Sequence, residues 1–102
     1  MLIVRSLAGV PIRLTDERWQ HIELRHPELA GRVQDVLDTV ADPDLILEGA
    51  EDELLAARWF GRRRRGHYVI VDYRELSATD GFVITAYSAR RLPGGGVMLW
   101  QR

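Results

Sequence analysis

The stretch LLAARWFGRRRRGHYVIVDY, residues 54–73, shows two β-strand patterns separated by a loop that contains four consecutive arginines. Apolar and aromatic residues dominate Leu54–Phe60 and Tyr68–Tyr73, whereas glycine and arginine fill the connection. Because this connection is too short to hold a crossover helix, we expect the two strands to pair antiparallel as a hairpin. This hairpin is the predicted centre of a β-sheet, and the neighbouring segments of the chain are expected to extend or cover that sheet.

The strand pattern continues on both sides of this hairpin. Three further apolar runs are predicted as strands, Leu45–Glu48 before it and Phe82–Ser88 and Val97–Trp100 after it. Their connections are short and contain no helical pattern, which favours a meandering antiparallel sheet of about five strands. The acidic turn Gly49–Glu53 could attract a cation, but it lacks the spacing of a calcium loop, which favours a solvated turn.

The residues before this sheet predict a small hairpin and two helices. The hairpin consists of Leu2–Arg5 and Val10–Leu14, and Thr15 is a suitable N-cap for a helix that runs to about His26. The whole chain, residues 1–102, is predicted to be a single α+β domain with its sheet packed on the helices. A second helix, ending at Asp42-Pro43, is indicated by apolar residues at helical spacing: Leu29, Val33, Val36, Leu37 and Val40.

The composition is that of an ordinary globular protein, with 46% hydrophobic and 28% charged residues. No apolar run approaches the roughly 20 residues that a bilayer requires, and no signal-peptide pattern opens the chain, so we expect a cytoplasmic protein without a membrane partner. The absence of cysteine excludes disulfides, thiolate metal sites and a cysteine nucleophile. We expect no cofactor, because neither a phosphate-binding glycine loop nor a dinucleotide fingerprint is present.

Charge is divided unevenly along the chain. Met1–Ala57 contains 5 arginines and 12 acidic residues, a net charge of −7, whereas Arg58–Arg102 contains 9 arginines and 3 acidic residues, a net charge of +6. All 14 cationic side chains are arginine, whose planar guanidinium group suits phosphate and carboxylate. The C-terminal half could therefore face a polyanion while the other half repels it.

The hairpin also offers candidate RNA-binding side chains. Guanidinium groups contact phosphates and aromatic rings stack on unpaired bases, which is how single-stranded RNA is usually held. A solvated turn is the alternative interpretation of the arginine run. The candidate residues are Arg62, Arg63, Arg64, Arg65, His67 and Tyr68.

The first predicted helix carries a polar stripe formed by Arg18, His21 and Arg25. The positive charge of the two arginines disfavours the imidazolium form of His21, and the same arginines could grip an anion. This grouping suits a general base beside a phosphate, and an exposed polar helix face is the alternative. His26 lies in the apolar stripe instead, where packing and a hydrogen bond to the last carbonyls are the simpler interpretation. The two histidines point in different directions, so we expect no metal site from them.

The late strand Phe82–Ser88 contains a second group of candidates. Alternation predicts that Val83, Thr85 and Tyr87 share one face of this strand. The two hydroxyl groups could donate to phosphate oxygens, or they could simply satisfy a half-buried strand.

Two segments carry a resemblance to a known group of proteins. WQHIELRHPEL, residues 19–29, contains a His-x-x-x-Arg pair, and FVITAYSAR, residues 82–90, forms the late strand. With the order of the elements between them, they resemble small prokaryotic proteins of the phage-type nuclease branch in the superfamily that contains barnase, EndoU, colicin-type tRNases and RelE. The resemblance implies helices followed by an antiparallel sheet, metal-independent cleavage of RNA, and a role in toxin–antitoxin or phage-conflict systems with a cognate antitoxin or immunity protein.

Carried over residue by residue, the resemblance implies roles in RNA cleavage. His21 takes the proton from the 2′-hydroxyl group, and Arg25 and Arg58 stabilise the charge on the phosphate. Thr85 orients the phosphate, Tyr87 or His26 is the acid for the leaving 5′-oxygen, and the product is a 2′,3′-cyclic phosphate. We therefore expect His21, Arg25, Arg58 and Thr85 to line one concave surface.

A non-catalytic protein-binding module is the alternative function. Such an inhibitor-type toxin or immunity-like partner would use the acidic turn and the exposed arginines. Clustering of the four residues in one cleft favours the enzyme, and their dispersal favours the module. A structural domain is the third reading, for the case in which neither a cleft nor a complementary surface exists. The segment Met1–Leu14 extends beyond the shortest members of the group, and we expect it to cover a sheet edge or to form a homodimer contact.

Overall fold

Seven strands and two α-helices make up the α+β fold of the computed structural model, which describes residues 1–102. A 3₁₀ turn, Pro27–Leu29, lies between the helices. The elements in chain order are β1 (Leu2–Arg5), β2 (Pro11–Leu14), α1 (Asp16–Arg25), α2 (Val33–Ala41), β3 (Leu45–Glu48), β4 (Leu54–Arg62), β5 (Arg65–Ser77), β6 (Asp80–Ala89) and β7 (Met98–Gln101).

All seven strands belong to one mixed sheet with the order β1-β2-β6-β5-β4-β3-β7. The α+β class is confirmed, but the sheet has more strands than the five predicted, because the N-terminal hairpin joins it. Strand β2 pairs with β6 in parallel, through Ile12 opposite Gly81 and Arg13 opposite Phe82. An ion pair between Arg13 Nε and Asp80 Oδ1, at 2.8 Å, supports the junction. This parallel contact involves the N-terminal hairpin, whereas the five predicted strands all pair antiparallel. The predicted meander is wrong for β7, which pairs with β3 at the far edge and not with β6, the strand that precedes it in the chain.

The second helix begins later than its apolar periodicity predicted. Leu29 belongs to the 3₁₀ turn, although it is fully buried, and α2 starts only at Val33. Gly31 lies between them with a φ of +74°, a left-handed conformation that interrupts helical geometry. The interruption leaves Arg32, which is half-buried, immediately before the first residue of α2.

Both helices pack on the same side of the sheet, which we call the helix face. The main core forms there, between Ile22 of α1, Val36 and Val40 of α2, and the sheet residues Val69 and Val71. The opposite side, the open face, carries a smaller cluster without a helix over it, formed by Leu45, Leu47, Ala57 and Ile70. Since side chains alternate along a strand, these two sets assign every neighbouring residue of β4, β5 and β6 to one face or the other.

A β-bulge in β6 separates residues that alternation had placed together. Asp72 of β5 lies opposite Thr85, but the next residue, Tyr73, lies opposite Val83, so Ile84 is the extra residue. Val83 is consequently buried on the helix face with Tyr73, whereas Thr85 and Tyr87 belong to the open face. The prediction that Val83, Thr85 and Tyr87 share one face is therefore wrong for Val83.

Candidate nucleic-acid interface

The arginine run forms the tip of the hairpin between β4 and β5. Arg62, the last residue of β4, pairs with Arg65, the first residue of β5, so only Arg63 and Arg64 make the turn. Gly61 has a φ of +121°, and a Cβ atom at this position would lie 2.3 Å from the Arg65 carbonyl oxygen. Glycine thus allows the strands to approach closely enough to hold the arginines in one compact tip.

An open groove of about 580 Å³ lies beside this tip. Four of its residues are polar or charged, and a half-buried aromatic ring forms its apolar wall. The guanidinium Nη2 of Arg90, just past β6, donates to the Arg64 carbonyl oxygen at 3.3 Å and links the tip to the neighbouring strand. The lining residues of this arginine groove are Phe60, Gly61, Arg64, Arg65, Gly66, His67 and Arg90.

His67 makes the most specific polar contact of the groove. Its Nε2 lies 2.7 Å from Nη1 of Arg32, and because a guanidinium group only donates, Nε2 accepts and the ring proton is assigned to Nδ1. Arg32 is held from its other side by Asp35, with 2.7 Å between Nε and Oδ2. Burial lowers the pKa of His67 below its usual value, and the charges of Arg32 and Arg90 lower it further, against a smaller opposing effect of Asp35. His67 is therefore neutral at pH 7 and is surrounded by cations.

Phe60 connects the groove to two further arginines. Its ring lies across the hairpin from His67, and the guanidinium carbons of Arg32 and Arg58 are 5.7 Å and 5.5 Å from its centroid. Arg58 also donates from Nη1 to the Asp42 carboxylate at 3.4 Å. Arg58 therefore lies on the helix face, with its charge partly engaged at the end of α2.

His21 lies elsewhere, on the solvent-exposed side of α1. Thr15 caps this helix by accepting from the backbone N–H of Arg18 at 3.1 Å, as predicted, and Ile22 anchors it in the core. Burial of Ile22 directs the stripe with His21 towards solvent. An open polar pocket of about 320 Å³ is lined there by Thr15, Glu17, Arg18 and His21, and no residue of the sheet takes part.

The structure does not bring His21, Arg25, Arg58 and Thr85 into one cleft. His21 and Arg25 are exposed on α1, Arg58 lies on the helix face of β4, and Thr85 lies on the open face of β6 opposite Asp72. The bulge at Ile84 and the anchoring of α1 cause this dispersal. Neither feature is visible in the spacing of the four residues along the chain.

His26 and Tyr87 do meet, at the edge of β6. Their ring centroids are 6.0 Å apart, and His26 Nδ1 lies 3.8 Å from Glu28 Oε2. The same carboxylate oxygen accepts from the backbone N–H of Ser88 at 3.2 Å. Partial burial alone would raise the pKa of Glu28, but hydrogen bonds from its own backbone and from Ser88 lower it overall. Burial raises the pKa of Tyr87, so its hydroxyl group keeps its proton at neutral pH.

The hairpin candidates divide between the two faces. Arg64, Arg65 and His67 line the groove, and Arg62 and Arg63 are exposed beside it. Tyr68 instead packs edge-to-face on Trp59, with 4.9 Å between centroids, on the open face. Tyr68 therefore does not join the groove, because neighbouring residues of a strand point to opposite sides.

Sequence reasoning missed Arg90, which lines the groove, Arg32, which contacts the groove residue His67, and Asp72. Oδ1 of Asp72 is buried on the open face without a hydrogen-bond partner. Burial raises the pKa of Asp72 to about 7, and the neighbouring Glu53 carboxylate raises it as well. A lone aspartate in a run of valine and isoleucine was the available signal for a buried carboxyl group.

Comparisons with known proteins give the chain no family. No protein-family model matches it, and neither does any curated protein or any solved structure. No group of three or more histidine, aspartate and glutamate side chains is arranged to hold a metal ion. None of the helices is long and apolar enough to cross a membrane.

Proposed function

We propose that this protein binds single-stranded RNA through the arginine groove. The observation that carries the proposal is that Arg64, Arg65 and Arg90 line one open groove and that Arg32 contacts the groove residue His67. Arg64 and Arg65 belong to the hairpin tip, Arg90 follows β6, and Arg32 immediately precedes α2. Cations held close together by different elements attract a phosphate backbone more strongly than scattered surface charges do.

Single-stranded RNA suits the groove better than a duplex does. Phe60 forms an aromatic wall among the guanidinium groups, and aromatic rings stack on unpaired bases. The groove thus offers phosphate contacts and stacking, the two contributions that hold single strands.

Metal-independent cleavage of the bound RNA is the second candidate function, and the contact between Arg32 and His67 favours it. A neutral His67 has the protonation state of a general base. In this reaction Arg32 Nη1 turns to the phosphate and frees Nε2, which in the neutral fraction of His67 accepts the 2′-hydroxyl proton and later returns it to solvent. O2′ bonds to phosphorus, and the bond from phosphorus to O5′ breaks. The leaving oxygen takes a proton from solvent, and the product is a 2′,3′-cyclic phosphate. His67 replaces His21 as the base in this proposal.

Binding takes precedence over cleavage because of the dispersal described above. The four residues implied by the resemblance to nucleases lie on different surfaces, which is the arrangement expected of a non-catalytic module. A module that binds an acidic protein partner would use the same groove, since carboxylates and phosphates are both recognised by arginine. RNA is favoured because the groove combines the arginines with an aromatic wall.

The proposal is tested by measuring the affinity for labelled oligouridine over a salt series. Removing two groove cations in Arg64→Ser/Arg90→Ser should weaken binding and flatten the plot of log affinity against log salt by about 1.4, since each phosphate contact of a single strand contributes about 0.7. The matched control Arg18→Ser/Arg25→Ser removes the same charge from α1 and should keep the slope. Equal slopes for both variants would show that the groove makes no phosphate contacts.

A further inference from the structure

We propose that binding of an RNA phosphate in the arginine groove opens the contact between Arg32 and His67 and is accompanied by proton uptake on His67. This inference rests on the proposed binding of RNA. Because His67 gains a proton when the phosphate binds, the groove has a higher affinity for its anionic ligand at lower pH.

The contact itself defines the free state. Arg32 Nη1 donates a hydrogen bond to Nε2 of His67 at 2.7 Å. Because Nε2 can accept only without a proton, His67 is neutral in this state. While the contact exists, Nε2 has no proton to donate to a phosphate. At Nη1 the guanidinium group therefore contacts an imidazole, which carries no negative charge for it to neutralise.

A phosphate in the groove favours the protonated form of His67 and the open state of its contact with Arg32. The oxygen atoms of a phosphodiester accept from Arg32 and can accept from Nε2–H of an imidazolium, whereas Arg32 and an imidazolium repel each other. Asp35 keeps its hold on Arg32 through Nε, so Nη1 can turn to the anion without loss of that ion pair. The phosphate therefore gains one charge-assisted donor for each proton that is taken up.

The charged groups that face His67 come from three parts of the fold. Arg32 immediately precedes α2 and Asp35 belongs to it, Arg64 and Arg65 belong to the hairpin tip, and Arg90 follows β6. In the free protein burial lowers the pKa of His67, and the charges of Arg32 and Arg90 lower it further against the single opposing carboxylate of Asp35. A bound phosphate adds negative charge at the same place and raises that pKa.

The direction of the pH effect follows from linkage. Below the lowered pKa of the free protein both states carry the proton, and above the raised pKa of the complex neither does. Between these two values affinity rises as the pH falls, by at most tenfold per pH unit for one proton. We expect binding to tighten about three- to tenfold between pH 8 and pH 5.5 at constant salt.

Isothermal titration calorimetry with oligouridine tests the proposal, because neither its phosphodiesters nor its bases take up protons in this pH range. Measurements at pH 6.5 in two buffers of different ionisation enthalpy give the number of protons bound. The wild type should take up about 0.3 to 0.5 of a proton, the fraction that matches a three- to tenfold pH effect, His67→Gln should take up none, and His21→Gln should behave as the wild type. Imidazole chemical shifts of the wild type, followed against pH with and without RNA, give the same answer without a substitution.

Two results would overturn the inference in distinguishable ways. Salt-dependent binding of RNA without proton uptake, or uptake that persists in His67→Gln, refutes the linkage while the binding function stands. Absence of binding at every pH refutes the proposed function and the linkage together.

Discussion

The substitution Asp72→Asn should stabilise the protein at alkaline pH and should change its stability little in acid. Asp72 lies on the open face between Leu55 of β4 and Thr85 of β6, beside the Glu53 carboxylate. Glu53 and Tyr87 are the other titratable groups that interact with it. Asparagine keeps the shape of the side chain and removes the charge that burial and Glu53 disfavour.

The expected magnitude follows from the pKa of Asp72, which is raised from 3.8 to about 7. A shift of this size corresponds to about 4 kcal/mol for a group shielded from water, but Asp72 is only half-buried, so solvent screening reduces the effect to about 1–2 kcal/mol. The sign is set by proton binding. Between pH 4 and pH 7 the folded state holds more protons than the unfolded state, so the wild type loses this stability as the pH rises through that interval.

Urea unfolding at pH 5 and pH 8 measures the effect. The free energy of unfolding of Asp72→Asn should exceed that of the wild type by about 1–2 kcal/mol at pH 8, and the difference should shrink at pH 5. Asp52→Asn is a matched control, because it removes one charge from the exposed acidic turn at a positive φ that asparagine also tolerates. A variant that is less stable than the wild type at pH 8, or equally changed at both pH values, would refute the reasoning.

Three further outcomes are expected. Replacing Arg62, Arg63, Arg64 and Arg65 by serine should reduce the salt dependence of RNA affinity more than Arg64→Ser/Arg90→Ser does. An unchanged slope would show that the hairpin tip makes no contacts to RNA phosphates. In excess EDTA, His67→Ala should slow any RNA cleavage about a hundredfold while His21→Ala cleaves as the wild type, and the reverse order would restore His21 as the base. Gly81→Ala should destabilise by about 1–3 kcal/mol, because its Cβ would lie 2.5 Å from the Arg74 carbonyl oxygen and 2.6 Å from Ile12 Cδ1; unfolding free energy equal to that of the wild type would contradict this packing.

Local patterns predicted the individual elements well. Thr15 caps α1 as expected, β3 spans Leu45–Glu48 as expected, and the hairpin of β4 and β5 forms around the arginine run. Each of these features depends on neighbours in the chain, such as a capping hydroxyl group or an apolar run between turns. Such features are encoded within a few residues.

The features that were missed depend on distant contacts. The parallel contact of β2 with β6 joins residues about 70 positions apart, and alternation cannot indicate the extra residue Ile84. The bulge moved Thr85 away from the helices, and the late start of α2 moved Arg32 beside His67. The candidate site changed for these two reasons, since one inserted residue reverses the face of every side chain that follows it in a strand.

Nuclear magnetic resonance of the ¹⁵N-labelled protein, titrated with oligouridine at low salt, tests the central claim most directly. The account predicts that the largest shifts affect the backbone and side chains of Arg64, His67 and Arg90, which line the groove, and of Arg32, which contacts His67. The exposed stripe with Arg18 and His21 on α1 should change little. Shifts centred on α1 or on the open face, or no shifts at all, would contradict the assignment of the arginine groove as the RNA-binding site.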